Sequence, residues 1–215
     1  MNSLIDQLSS HLKAVKPLTS VKQAALAWIM GSTVSGLILF AAFLRFRSNW
    51  DTASRAPSFW LSLICLFITL CGYSIAAIRS GLPGQLLKRA PQWLGSCALI
   101  FFFLNLIAEF LTDSSYGSIL SEGGDPQSGI RCALKVLFLA ALPASLLIIR
   151  LRRTAPIHPR RSGLWIGLAA GAFGALGLAF CCPSENPVHL LLWHGLPILA
   201  LSWLCSMSAD RFLKW

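Results

Sequence analysis

Six long apolar segments constrain the fold of this chain more than any other feature of its sequence. Each has 17 to 21 residues, and they cover residues 24–44, 58–78, 92–111, 133–149, 163–180 and 188–207. Among Asp, Glu, Lys and Arg residues, the six segments contain only Glu109 and Lys135. A helix of about 20 residues crosses the ~30 Å hydrocarbon layer of a membrane. The segments therefore predict an all-α fold, a polytopic membrane helical bundle of six transmembrane helices.

Composition excludes the main soluble classes. Charged residues make up 12% of the chain, about half of the roughly 25% that is usual in soluble domains. A water-soluble domain of this size would have more apolar surface than one core can bury. This argues against a soluble enzyme, a disordered tail and a nucleic-acid-binding domain, so we expect no direct nucleic-acid partner.

The distribution of basic residues predicts the orientation. Thirteen of the 18 Lys and Arg residues fall on the side that contains both termini, and Lys and Arg concentrate in cytoplasmic loops. We therefore expect both termini to be cytoplasmic. Residues 1–23 are expected to form a cytoplasmic N-terminal amphipathic segment, 24–207 the six-span transmembrane domain and 208–215 a short cytoplasmic tail. The first outer loop, with three Arg and one Asp, fits this rule least well.

The N-terminal segment carries one apolar stripe at helical spacing. Its residues are Leu4, Ile5, Leu8, Leu12 and Val15. Such a stripe binds in the groove of a partner protein, or it lies on the bilayer surface as an interfacial helix. In the first interpretation these five residues form the partner-binding surface.

A basic loop joins the fourth and fifth segments on the inner side. It contains Arg150, Arg152, Arg153, Arg160 and Arg161. Anionic lipid headgroups are the default partners of such a loop. Contact with an acidic cytoplasmic protein is the alternative.

Three of the seven cysteines stand apart from the others. Cys65, Cys71, Cys97 and Cys205 lie within apolar segments and are expected to pack as small hydrophobic residues. Cys132, Cys181 and Cys182 instead lie at the outer ends of segments four and five. A structural disulfide, a soft-metal site and inert thiols all agree with this placement.

Neighbouring residues are expected to tune these thiols. Arg131 favours the thiolate of Cys132, whereas Glu185 opposes that of Cys182. His189 and His194 lie within reach of the same corner, either as ligands or proton-sensitive groups, or as hydrogen-bonded packing residues.

Motifs for catalysis and transport are missing from the sequence. It has no Cys-x-x-Cys, no P-loop and no nucleophile elbow. Near mid-membrane the segments offer little beyond Asn105 and scattered Ser or Thr, whereas transporters usually carry polar or charged groups there. We therefore expect a protein that is not an enzyme and has no resident cofactor.

Several short motifs resemble one known family. They are Leu4-Ile-Asp-Gln-Leu, Gly129-Ile-Arg-Cys, Leu142-Pro-Ala, Thr154-Ala-Pro, Phe180-Cys-Cys-Pro-Ser-Glu-Asn-Pro and Leu192-Trp-His-Gly. Together they resemble the small six-span bacterial inner-membrane anti-sigma factors that are named after the negative regulator of sigma factor F. The resemblance extends over the whole chain and is most specific in its second half.

This resemblance implies a function. It implies that the chain holds an extracytoplasmic-function sigma factor at the inner membrane and releases it under stress. It further implies that Cys132 and Cys182 sense oxidants or heavy metals, with transient binding of a soft metal at this pair; the role of Cys181 stays open. A thiol-disulfide membrane oxidoreductase and a small transporter are the alternative functions.

Overall fold

The computed structural model describes residues 20–82, 89–112, 126–154 and 156–213, which form helices and connecting loops with no strand among them. The helices are α1 (Val21–Phe43), α2 (Trp50–Ala53), α3 (Pro57–Ser80), α4 (Ala90–Thr112), α5 (Pro126–Arg152), α6 (Pro159–Ala179) and α7 (Pro187–Phe212). All of them except the single turn α2 are long and apolar enough to cross a membrane. The predicted six-span helical fold is confirmed.

Helix boundaries follow local sequence signals outside the apolar segments. Ser20 begins α1 with a capping box, in which its side chain accepts a hydrogen bond from the Gln23 backbone N–H and the Gln23 side chain accepts one from the Ser20 N–H. Proline lies in the first turn of α3, α6 and α7, where a missing N–H costs nothing. The α5 helix begins seven residues before the predicted segment, because its first two turns are polar and hydropathy alone does not detect them.

Helix α6 lies at the centre of the bundle and contacts α3, α5 and α7, while α1 packs at the periphery. Glycines on α6 allow this close packing. A Cβ at Gly167 would lie 2.2 Å from the Ser202 Cα on α7, and one at Gly174 would lie 2.3 Å from the Val136 carbonyl oxygen on α5. These glycines therefore let the backbones of α5 and α7 pack directly against α6.

Large apolar side chains cover the outside of the bundle. Leu37, Phe101 and Trp203 are each at least 60% exposed. Exposure of such a surface to water would be unfavourable, whereas lipid tails solvate it. The exposed apolar surface agrees with a multi-pass membrane protein.

The two ends of the bundle differ in chemistry. One end carries loops 44–56 and 180–186 and the start of α5, and we call it the thiol end. The opposite end carries the Arg-rich loop and is called the arginine end. There Arg160 pairs with Asp210 at 2.8 Å, and the Arg152 Nε donates to the Phe212 carbonyl at 2.7 Å. Arg150, Arg153 and Arg161 belong to the same end.

The amphipathic stripe of Leu4, Ile5, Leu8, Leu12 and Val15 lies outside the described residues, as do residues 113–125 of the loop between α4 and α5.

Candidate functional site

Four side chains converge at the thiol end of the bundle. The Sγ atoms of Cys132 and Cys182 are 3.7 Å apart, and the Cys182 Sγ is 3.6 Å from the His189 Nε2. With His194 they form a group in which one ligand atom from each residue lies within 4.8 Å of the others. Cys182, His189 and His194 are buried, and Cys132 is partly buried. We call this group the thiol–imidazole cluster.

The loop after α6 holds Cys182 toward the other members of the cluster. The Cys182 backbone N–H donates to the Leu178 carbonyl at 2.8 Å, which continues the last turn of α6. Asn186 then starts α7, because its side-chain oxygen accepts hydrogen bonds from the N–H groups of Val188 and His189. This cap fixes the first turn of α7, which carries His189.

A π-helical turn brings the second histidine into the cluster. Residues Leu191–Gly195 form this turn, and the Leu196 N–H donates to the Leu191 carbonyl, five residues back. At 3.6 residues per turn, His189 and His194 would point about 140° apart on an α-helix. In the wider turn their ring centroids are 5.8 Å apart. Pro197 favours such a widening, because its ring clashes with the carbonyl four residues earlier.

A close contact joins the first turn of α5, near Cys132, to the π-helical turn of α7. A Cβ at Gly129 would lie 2.0 Å from the Trp193 Cε2, so a side chain there would displace the indole. Glycine therefore lets the first turn of α5 approach α7 directly. Gly129 and Trp193 belong to the two motifs Gly-Ile-Arg-Cys and Trp-His-Gly, which this contact joins.

The vicinal cysteines lie in different electrostatic surroundings. The hydrogen bond with the Cys132 thiol lowers the pKa of Cys182; burial opposes this, and the neighbouring imidazoles of His189 and His194 lower the pKa further. Burial raises the pKa of Cys181 to about 11, and its thiol donates to the Gly177 carbonyl at 3.5 Å. Cys182 is therefore the more acidic thiol of the vicinal pair.

A buried arginine joins the first loop to the loop that carries Cys182. Arg47 is 5% exposed. Its Nη2 pairs with the Glu185 carboxylate at 2.9 Å, and its Nη1 donates to the Ala179 carbonyl at 3.3 Å. Asn49 adds a hydrogen bond to the Pro183 carbonyl at 2.8 Å. We call Arg47, Asn49 and Glu185 the loop clasp.

The loop clasp changes the interpretation of Glu185. The sequence suggests that this carboxylate opposes the thiolate of Cys182, but in the structure its charge is balanced by Arg47. Arg131 is exposed on α5, and its influence on the thiols stays a prediction. Sequence reasoning missed Arg47; the only signal was the excess of Arg in a loop expected to lie outside.

A cleft leads from the surface to the cluster. Cys182 and His194 line it together with Arg47, Glu109 and Glu185. Cys182 therefore borders an open cleft and not a closed core.

Fold and site together define a multi-pass helical membrane protein with a buried thiol–imidazole cluster at one end and a basic loop at the other. The family model of the negative regulator of sigma F (NrsF) matches residues 8–215, so the chain belongs to this family of anti-sigma factors. The resemblance drawn from the sequence motifs is confirmed.

A curated relative agrees with this assignment. The chain is 24% identical over 212 residues to a protein of Azospira oryzae named probable anti-sigma-F factor NrsF, covering 99% of this chain and 98% of that protein. No solved structure matches the chain.

Proposed function

We propose that this protein captures an extracytoplasmic-function sigma factor at the cytoplasmic face of the bacterial inner membrane and releases it when Cys132 and Cys182 react. Membership of an anti-sigma family supports the partner class. The observation that carries the sensor role is the 3.7 Å approach of the two Sγ atoms beside two buried histidines. A thiol with a perturbed pKa that lines a cleft is a candidate for a functional site.

The orientation follows from the basic residues. The arginine end carries most Lys and Arg and faces the cytoplasm, while the thiol end faces the oxidising side of the membrane. The sigma factor binds the amphipathic stripe of residues 1–23. The Arg-rich loop contacts either acidic residues of the sigma factor or anionic lipid headgroups. The tail 208–215 lies on the same side.

The sensing reaction joins the two thiols. With a peroxide as the oxidant, two thiols and one H₂O₂ give one disulfide and two waters, so the sulfurs lose two electrons and two protons. A disulfide needs sulfurs about 2.05 Å apart, against 3.7 Å before reaction. The reaction therefore pulls the start of α5 and the end of α6 together.

The same two helices carry the signal to the opposite end. Cys132 lies on α5, which ends at Arg152, and Cys182 follows α6, which begins at Pro159. Their packed contact at Gly174 and Val136 leaves no space for gradual deformation. A shift at the thiol end thus becomes a tilt at the arginine end. Tenfold weaker binding of the sigma factor requires about 1.4 kcal/mol.

Affinity purification tests capture and stimulus together. The tagged full-length protein is isolated from native membranes in a mild detergent, before and after a peroxide pulse, and co-eluting proteins are identified. We expect a sigma factor before the pulse and its loss afterwards. A sigma factor that stays bound contradicts the sensing reaction, and the absence of any sigma factor contradicts capture.

A further inference from the structure

We infer that Cys132, Cys182, His189 and His194 form a four-ligand site for a divalent d¹⁰ cation, Zn²⁺ or Cd²⁺. This deepens the proposed function and rests on it only for the effect on the sigma factor. The sequence suggested a metal at the two cysteines and offered the two histidines as possible ligands, and the structure brings all four side chains together. One ligand atom of each residue lies within 4.8 Å of the other three.

Two of the six distances among the ligand atoms match a tetrahedral site, and all six are within 4.8 Å. With metal–sulfur bonds of about 2.3 Å and metal–nitrogen bonds of about 2.05 Å, a tetrahedron has a sulfur–sulfur edge of about 3.8 Å and a sulfur–nitrogen edge of about 3.6 Å. The Sγ atoms of Cys132 and Cys182 are 3.7 Å apart, and the Cys182 Sγ is 3.6 Å from the His189 Nε2. Both of these distances are present in the structure without any movement of the backbone.

Charge and burial favour the same ligand. Two thiolates and two neutral imidazoles cancel the charge of a divalent cation, so the complex is neutral in a buried position. His194 is 3% exposed, and its Nε2 has no hydrogen-bond partner among the described side chains and backbone. A bound cation gives this imidazole the polar partner that its burial demands. Sulfur and imidazole ligands also select against Mg²⁺ and Ca²⁺.

Metal binding and disulfide formation are alternatives, because both use the same two sulfurs. Binding exchanges one M²⁺ for two thiol protons. Oxidation of the occupied site by a peroxide consumes one H₂O₂ and two protons, gives one disulfide and two waters, and releases M²⁺. Occupancy therefore slows oxidation, and the cation bridges α5, the loop after α6 and α7.

Cobalt binding tests the site directly. The reduced full-length protein in mild detergent is titrated with Co²⁺, whose absorption separates tetrahedral thiolate coordination from octahedral oxygen coordination. We expect one tetrahedral Co²⁺ per chain, displaced by Zn²⁺ or Cd²⁺. Replacing Cys132 or Cys182 by Ser, or His189 or His194 by Ala, should weaken binding by at least about tenfold.

Cys181→Ser is the matched control, because Cys181 is adjacent to Cys182 and outside the four-atom group. This variant should bind Co²⁺ as the parent does. Variants are compared only if they elute as the parent does in gel filtration; His189→Gln and His194→Gln replace any Ala variant that does not.

Three results overturn the inference: no Co²⁺ binding, an octahedral spectrum, or unchanged binding in both histidine variants. A fourth readout is the rate of disulfide formation with peroxide, which should fall at least tenfold in the Zn²⁺-loaded protein. Sigma-factor release by peroxide is scored separately in the metal-free protein. If peroxide releases the sigma factor but the protein binds no metal, only the metal-site inference is wrong. If the protein binds metal but peroxide releases no sigma factor, only the proposed sensing reaction is wrong.

Discussion

The guanidinium of Arg47 pairs with the carboxylate of Glu185 at 2.9 Å, although the two residues lie in loops 138 positions apart in the sequence. The arginine side chain is 3% exposed and that of Glu185 is 44% exposed. A buried guanidinium needs such partners. The pair fixes the loop that carries Cys182 to the end of α1, and it borders the cleft that leads to the thiols.

Arg47→Gln should loosen this loop. The loss of charged hydrogen bonds to Glu185 and Ala179 should lower the free energy of unfolding by about 2 kcal/mol. It should also speed alkylation of Cys182 by iodoacetamide, followed by peptide mass spectrometry. Arg45→Gln, at an exposed neighbouring position, is the control. Equal alkylation rates in both variants would contradict a role for the clasp.

Gly167→Ala should destabilise the bundle. Its Cβ would lie 2.2 Å from the Ser202 Cα, so α6 and α7 must separate, at a cost of about 1–3 kcal/mol. Unfolding of the purified protein in mixed detergent with increasing dodecyl sulfate measures this cost. In the control Gly31→Ala, the new Cβ meets only the Leu146 Cδ1 at 3.8 Å, and stability should stay within about 0.5 kcal/mol of the parent. Two equally stable variants would refute the close-packing account.

The double variant Leu8→Asp and Leu12→Asp should abolish capture of the sigma factor. Two carboxylates on the apolar stripe prevent its burial in a groove of the partner. Co-purification from membranes measures the bound sigma factor. Ser10→Asp adds a charge off the stripe and should retain binding. If the double variant captures the sigma factor normally, the N-terminal segment is not the binding surface.

Cysteine labelling should establish which side of the membrane each end faces. Ser48→Cys lies at the thiol end and Arg153→Cys at the arginine end, and both positions are exposed. A membrane-impermeant maleimide added to intact spheroplasts should label position 48, whereas position 153 should react only after permeabilisation. Peptide mass spectrometry separates these products from the native cysteines. The reverse pattern would contradict the proposed orientation.

Sequence alone predicted the six spanning helices, because the length and apolar character of a span depend on local composition. It also predicted that Cys132 could meet Cys182, since both lie at the same end of neighbouring helices. It could not choose between Cys181 and Cys182, because that choice depends on how the chain turns after α6.

Tertiary contacts explain what else the sequence could not predict. His194 joins the cluster only because α7 widens into a π-helical turn, where Trp193 packs against Gly129. Arg47 has its role only through a partner in a distant loop. The sequence placed both histidines near the corner of the outer cysteines. However, the periodicity of an α-helix assigns His189 and His194 to different faces, so it could not predict that both side chains enter one cluster.

The central claim is that reaction of Cys132 with Cys182 releases the sigma factor. It is tested most directly by treating membranes that hold both proteins with a peroxide, and following the Cys132–Cys182 disulfide and the sigma factor left in the membrane pellet over the same time course. In the parent and in Cys181→Ser, we expect the disulfide to form and the sigma factor to leave the pellet at the same rate. The variants Cys132→Ser and Cys182→Ser should retain the sigma factor. Release from the Cys132→Ser, Cys182→Ser double variant at the parental rate would contradict the account.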